Sequence, residues 1–114
     1  MIQVTVFIRK DAASSESCYT GISLSGHAGY GKSGQDIVCA AVSALVFTTA
    51  NSIEAFTEDA FNGEADEKTG TFSFSFPSDI SPESSLLMNS LVLGLKNIEE
   101  EYGRSYIHIR FEEV

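Results

Sequence analysis

Cys39 and His27 are the two side chains of this 114-residue sequence whose types are best suited to nucleophilic catalysis. A neutral imidazole near a thiol can take its proton and later protonate a leaving amine. Cys39 lies in the first turn or so of a predicted helix that begins at Asp36, where unpaired amides and the helix dipole favour a thiolate. His27 lies at the end of the preceding predicted strand, so the two side chains can meet in space. The spacing therefore predicts a thiol nucleophile with a neighbouring base.

The same residues also fit quieter roles. A cysteine inside the run DIVCAAVSAL is often a buried core residue, and a histidine in a glycine-rich loop is often only solvated. From the residues alone, the choice between a cysteine enzyme and a binding module stays open.

A phosphate-binding loop is a further hypothesis, because residues 26–33 match the pattern G-x-x-x-x-G-K-[ST]. That motif needs a helix that begins at the Lys-Ser pair, so that amides and the helix N-terminus surround a phosphate. Here Ser33-Gly34-Gln35-Asp36 intervenes, and Asp36 would bring a negative charge towards the nucleotide. The sequence therefore disfavours nucleotide binding.

A zinc site could be imagined from Cys18, His27, Asp36 and Cys39. Their spacing fits no standard zinc finger, and strand alternation predicts that Cys18 lies on the apolar face of its strand. We therefore predict neither a metal nor a cofactor.

Hydrophobic periodicity predicts the elements that must position these side chains. The order is β-β-α-β-β-α-β, which predicts one α+β domain over residues 1–114, with two helices packed on a mixed or antiparallel sheet. Four glycines in residues 26–35 predict a mobile loop. The predicted strands are 2–9, 17–26, 60–65, 71–76 and 105–111, and the predicted helices are 36–56 and 82–102.

The charge of the chain limits its partners. Seven basic against sixteen acidic residues give a net charge of −9, which lacks the clustered cations that bind nucleic acid or an anionic membrane. Unbroken apolar runs are too short for a membrane span, and two cysteines make no disulfide framework. We therefore expect a cytoplasmic protein. The run Glu99-Glu100-Glu101 is predicted to be a solvated helix end.

One segment resembles the bacterial ribosomal-processing cysteine protease family. It contains the pair Gly26-His27 and, after a loop, the run from Gly34 to Leu45, GQDIVCAAVSAL. The family pattern is a Gly-His pair, a loop of fixed length, and then Gly-x-Asp-Ile-Val-Cys-Ala-x-Val-Ser-x-Leu. The histidine, aspartate, cysteine and serine of the pattern are all in register.

The resemblance implies a cysteine endopeptidase that removes an N-terminal extension from a bacterial large-subunit ribosomal protein. Cys39 would be the nucleophile and His27 the general base and acid. Gly26, Asp36 and Ser43 match further positions of the motif and would support this pair.

The resemblance also implies partners. The substrate would be a basic ribosomal protein, which suits an acidic enzyme. Members of the family form homodimers, for which Tyr106, His108 and Arg110 on the last strand are candidate contacts. A non-catalytic module that holds a basic ribosomal segment remains the alternative.

Overall fold

A computed structural model describes residues 1–10, 17–26, 36–66 and 68–114. The predicted α+β order is confirmed, and the element bounds differ from the prediction by at most two residues. Most of the predicted glycine-rich loop, residues 27–35, lies outside the described residues. The elements are β1 (Ile2–Lys10), β2 (Ser17–Ser25), α1 (Ile37–Phe56), β3 (Asn62–Asp66), β4 (Thr71–Ser75), α2 (Pro82–Tyr102) and β5 (Ile107–Glu113).

The strands form one mixed sheet in the order β3-β4-β2-β1-β5. β5 runs parallel to β1, while the other neighbours are antiparallel. Ile2, Val4 and Val6 alternate along β1 and are almost completely buried, as the strand pattern predicts. Together with Ile22 and Phe74, they form the sheet side of a core that the helices cover.

A β-bulge interrupts the pairing of β1 with β2. Phe7 pairs with Gly21, but Ile8 pairs with Tyr19, so Thr20 is an extra residue in β2. Its carbonyl oxygen accepts a hydrogen bond from the Phe76 amide at 2.9 Å. The extra residue shifts the alternation of β2 by one position. Side chains that precede Thr20 in β2 therefore lie on the opposite face of the sheet from the one that regular alternation predicts.

The bulge overturns the predicted position of Cys18. Tyr19, not Cys18, packs against the core, and its hydroxyl donates to Asn89 Oδ1 on α2 at 2.5 Å. Cys18 is half-buried and pairs with Arg9 of β1. The prediction that Cys18 lies on the apolar face was therefore wrong.

Helix α1 begins where the sequence predicts. Asp36 is the N-cap, and its Oδ1 accepts hydrogen bonds from the amides of Val38 and Cys39, both at 3.0 Å. Residues at helical spacing on one side of α1 are buried: Val38, Val42, Val46, Thr49, Ala50 and Ile53. Within the described parts of the chain, α1 is also the one helix with the length and composition to cross a membrane. The core helix of a soluble protein has the same length and composition, so this finding is weak evidence for a membrane span.

A polar cluster joins the end of α1 to the start of α2. Ser81 is the N-cap of α2, ahead of Pro82, as the sequence predicts. The Asp59 carboxylate accepts hydrogen bonds from the Ser81 amide and from the hydroxyls of Ser81 and Ser84. Ser84 is fully buried. The Ser81 and Ser84 hydroxyls stabilise the carboxylate and lower the pKa of Asp59.

Glu99 is not the solvated residue that the acidic run predicts. Its Oε2 accepts a hydrogen bond from the Ile109 amide of β5 at 2.9 Å and lies 3.3 Å from His108 Nδ1. Glu99 therefore covers a backbone amide of an edge strand. α2 ends three residues later at Tyr102, before Gly103 with its φ of 104°.

The tight contact at Gly21 generates a test of the sheet. A Cβ atom at this position would lie 2.7 Å from the backbone carbonyl oxygen of Phe74, which cannot move without disturbing β4. We expect Gly21→Ala to lower the free energy of unfolding by about 1–3 kcal/mol, measured by urea denaturation. Gly63→Ala is the matched control, because its Cβ would meet nothing closer than 4.0 Å. Equal unfolding midpoints for the two variants would contradict this account.

Candidate active site

Cys39 is held at the start of α1 by its interactions with Asp36. The Cys39 amide donates to Asp36 Oδ1, and the Cys39 Sγ lies 3.3 Å from Asp36 Oδ2 as a hydrogen-bond donor. The residue as a whole is half-buried. One carboxylate thus caps the helix and fixes the position of the thiol.

Two opposing electrostatic effects act on this thiol. The helix N-terminus favours the thiolate, because its amides carry partial positive charge. The Asp36 carboxylate favours the protonated thiol, because it accepts the S–H hydrogen bond and carries a negative charge. A base that removes the proton must therefore act against Asp36.

The Cys39 side chain faces a hydrophobic cavity of about 430 Å³. Ser43, one turn further along α1, lines the same cavity. The hairpin formed by β3 and β4 provides the opposite wall, through residues that include Ala65 and Asp66. The apolar part of the lining comes from the sheet and from α1: Ile2, Leu24, Val42, Val46, Phe47 and Phe72.

The structure brings most of the predicted site residues together. Cys39, Ser43 and Gly26 line the cavity, and Asp36 contacts Cys39. Gly26 has a φ of 87°, and a Cβ atom there would lie 2.5 Å from the Met1 carbonyl oxygen, so glycine is required. His27 lies outside the described residues, and its predicted role stays a prediction.

Sequence reasoning missed the aromatic and hairpin walls of the cavity. Phe47 and Phe72 have ring centroids 4.9 Å apart. Phe72 belongs to an alternating strand and Phe47 to an apolar helix, so each fits a core position equally well. Their convergence on one cavity depends on the packing of α1 over β4, for which the sequence has no local signal.

The nucleotide hypothesis does not fit the described part of the site. The amides of Val38 and Cys39, which would face a phosphate, are occupied by the Asp36 carboxylate. The preceding strand, β2, is antiparallel to both of its neighbours, whereas a phosphate-binding loop follows a strand of a parallel sheet.

The described residues separate the two cysteines of the zinc hypothesis, whose fourth candidate ligand, His27, lies outside them. Cys18 lies beyond the bulge and pairs with Arg9, whereas Cys39 lines the cavity next to α1. Within residues 1–10, 17–26, 36–66 and 68–114, no group of three or more His, Cys, Asp and Glu side chains is placed to bind a metal.

A cysteine outside any disulfide, at a helix N-terminus and lining a cavity large enough for peptide side chains, is typical of a cysteine hydrolase. Comparison with known proteins agrees. The family model described as Cysteine protease Prp matches residues 1–108. The chain belongs to the cysteine protease Prp family and is a cysteine peptidase.

Curated relatives carry the same description. The chain is similar to the ribosomal processing cysteine protease Prp of Staphylococcus aureus (strain Mu50 / ATCC 700699), with 32% identity over 90 residues, 79% of this chain and 85% of that protein. It is also 31% identical, over 106 residues, to the protein of that name from Bacillus subtilis (strain 168), covering 90% of each chain.

Solved structures show the same fold. The S. aureus protease Prp in complex with a covalently linked product peptide aligns with a TM-score of 0.86 at 28% identity, over 98% of this chain and 100% of that one. SMU.848 from Streptococcus mutans aligns with a TM-score of 0.80 at 30% identity, over 100% of this chain and 96% of that one.

The Asp36–Cys39 hydrogen bond generates a test of the resting thiol. Asp36→Asn keeps a capping oxygen but removes the negative charge beside the sulfur. We expect the rate of Cys39 alkylation by iodoacetamide at pH 7 to rise about tenfold, because the thiolate becomes more favourable. Glu100→Gln removes an exposed carboxylate from α2 and is the control, with no expected change. An unchanged or slower rate in Asp36→Asn would show that the carboxylate does not hold the thiol proton.

Proposed function

We propose that this protein is the endopeptidase that removes an N-terminal extension from a large-subunit ribosomal protein. The observation that carries the proposal is the thiol of Cys39 at the N-terminus of α1, facing a cavity of about 430 Å³ in a chain of the cysteine protease Prp family. Cys18, the other cysteine, lies opposite Arg9 in the pairing of β1 with β2 and does not line this cavity. It is therefore not suited to be the nucleophile.

Cys39 is the nucleophile in the proposed reaction and His27 is the base. The imidazole takes the thiol proton, and the sulfur attacks the carbonyl carbon of the scissile amide. The C–N bond then breaks, the imidazolium returns the proton to the departing amine, and a thioester remains. Water hydrolyses the thioester and regenerates the thiol. The covalently linked product peptide of the S. aureus protein supports a covalent step of this kind.

Asp36 and Ser43 are positioning residues in this scheme. Asp36 accepts the hydrogen bond of the Cys39 thiol and holds the sulfur beside the cavity until His27 accepts the proton. Ser43 lies one turn from Cys39 on the cavity side of α1, where its hydroxyl can hydrogen-bond to the bound peptide.

The cavity and the charge of the chain support a peptide substrate. The largely apolar lining suits hydrophobic side chains next to the scissile bond. A net charge of −9 favours a basic ribosomal protein over a nucleic acid. Because ribosomes assemble in the cytoplasm, the proposed reaction places the protein there.

We also propose that the protein acts as a homodimer through the outer surface of its two helices. α1 has no charged residue from Ile37 to Ile53, and α2 has none from Ser84 to Leu95. The helices contact each other where Leu45 packs against Gly94, so their outward sides form one surface. Leu86 and Leu93 of α2 are 69% and 62% exposed there.

A second copy is the partner that this surface fits best. Two chains of charge −9 repel each other, and an uncharged apolar surface is where they can approach with the least repulsion. The last strand, which carries the candidate contacts named with the family resemblance, is less suitable. His108 Nδ1 on that strand already accepts a hydrogen bond from Arg104 Nε of its own chain at 3.2 Å.

Intact-mass spectrometry tests the proposed reaction. The purified protein is mixed with the extended ribosomal protein of its own host. We expect a single loss of the N-terminal extension, and a rate reduced about a thousandfold or more by Cys39→Ala or His27→Ala, because each removes a member of the catalytic pair. Cys18→Ala is the matched control and should stay within about twofold of the parent protein. Full activity in Cys39→Ala would exclude it as the nucleophile, and a stable complex without cleavage would support the binding module.

Light scattering coupled to size-exclusion chromatography tests the dimer. We expect the parent protein to have twice the chain mass of 12.3 kDa and Leu93→Glu to elute as a monomer, because the symmetric interface would bury two like charges. Val114→Glu introduces the same charge at a position that is 66% exposed, and it should remain dimeric. A dimeric Leu93→Glu variant would place the interface elsewhere.

A further inference from the structure

We propose that β3 binds a basic segment of the peptide substrate as an additional strand of the sheet. The inference rests on the proposed peptidase function and extends it to the way in which the substrate is held. β3 is an edge strand that pairs with β4 on one side, and all five of its residues are exposed. An exposed edge presents unpaired amides and carbonyls that an extended peptide can pair with.

β3 is continuous with the cavity that contains Cys39. Ala65 and Asp66 belong to β3 and also line the cavity wall opposite Cys39 and Ser43. A peptide with its scissile bond at Cys39 that leaves the cavity past the hairpin therefore meets β3 directly. Because an extended chain advances about 3.3 Å per residue, a few residues are enough to run along the whole strand.

The side chains of β3 select the charge of this peptide. Glu64 and Asp66 alternate on the strand and pair with Ser73 and Thr71 of β4. These four side chains, with Ala65, line a shallow polar depression on the surface. Directly opposite residues of paired strands lie about 5 Å apart, so lysine or arginine at alternate positions of an added strand would face the two carboxylates.

Asp66 is held in place for this contact. Its Oδ1 accepts hydrogen bonds from the amides of Lys68 at 2.9 Å and Thr69 at 3.4 Å in the hairpin turn. Because the turn fixes the carboxylate, binding a cation there would lose little side-chain freedom.

The other edge of the sheet is protected. The Ile109 amide of β5 is already bound by the Glu99 carboxylate, and Lys96 Nζ lies 4.9 Å from the centroid of the Phe111 ring. Proteins commonly block an exposed edge in such ways. The described residues show no comparable cover over β3. The geometry therefore favours β3 over β5 as the edge that accepts a peptide.

The test compares two peptides with the same cleavage site. One has lysine at alternate positions of the flanking segment, and the other has glutamine. The double variant Glu64→Gln/Asp66→Asn removes both charges, while asparagine keeps the acceptor for the hairpin turn. We expect the ratio of kcat/KM for the lysine peptide to that for the glutamine peptide to fall about fivefold at low salt. Most of this difference should disappear at 1 M salt.

Glu112→Gln/Glu113→Gln is the matched control, because it removes the same charge from β5 at the opposite edge. Its peptide ratio should stay at the parent value. An equal fall in both double variants would mean that net charge alone attracts the peptide and would overturn the proposal. An unchanged ratio in Glu64→Gln/Asp66→Asn would overturn it as well.

Hydrogen exchange separates this proposal from the peptidase proposal. The Cys39→Ala protein is mixed with the lysine peptide, and exchange of the β3 amides is measured with and without it. We expect the lysine peptide to protect the β3 amides from exchange. If β3 is protected but the parent protein cleaves no peptide, the peptidase proposal fails and strand addition stands. Protection at β5, or none at β3, would overturn strand addition while leaving any measured cleavage intact.

Discussion

The hydrogen bonds of the Asp36 carboxylate are the interaction on which the site depends. One oxygen begins α1 by accepting two backbone amides, and the other holds the thiol of Cys39. The start of the helix and the direction of the sulfur therefore cannot vary independently. The same residue fixes the position of the thiol and, through its negative charge, favours the protonated form over the thiolate. That combination suits a protease which should react only with its own substrate. Reactivity then depends on a base that competes with Asp36 for one proton.

The rest of the fold supplies a rigid frame for that interaction. Val38 and Val42, on the same helix as Cys39, are buried against the sheet. The hairpin of β3 and β4 closes the far side of the cavity, and Phe72 reaches from it to Phe47 on α1. The cavity therefore lies between α1, which is packed on the sheet through one face, and the β3–β4 hairpin at one edge of the sheet. These two elements are far apart in the sequence. Peptide-binding sites are often built in this way, because neither element needs to move far to accept a ligand.

Local patterns predict much of this structure. Asp36, Ser81 with Pro82, and Gly103 mark the helix ends because each satisfies the backbone groups that a helix end leaves unpaired. The bulge at Thr20 had no such signal, since an inserted residue leaves the alternation of β2 looking regular and exchanges Cys18 for Tyr19 on the core face. The contact of Glu99 with the Ile109 amide and the aromatic wall of the cavity depend on packing between distant segments. The motif residues of the site are visible in the sequence, while the surface that recognises a ligand is visible only in three dimensions.

The Asp59 cluster has a consequence for behaviour in acid. Because its pKa is lowered in the folded protein, Asp59 contributes its full stabilisation above the ordinary aspartate pKa and loses it only as the pH falls through the lowered value. The joint between α1 and α2 thus stays closed in any neutral or mildly acidic compartment. The Asp59 cluster follows the C-terminal end of α1, the helix that bears Cys39. Asp59 is protonated only at a pH well below neutral. A change of pH near neutrality can therefore alter the protonation of the catalytic groups at the N-terminal end of α1 without weakening the contact between α1 and α2.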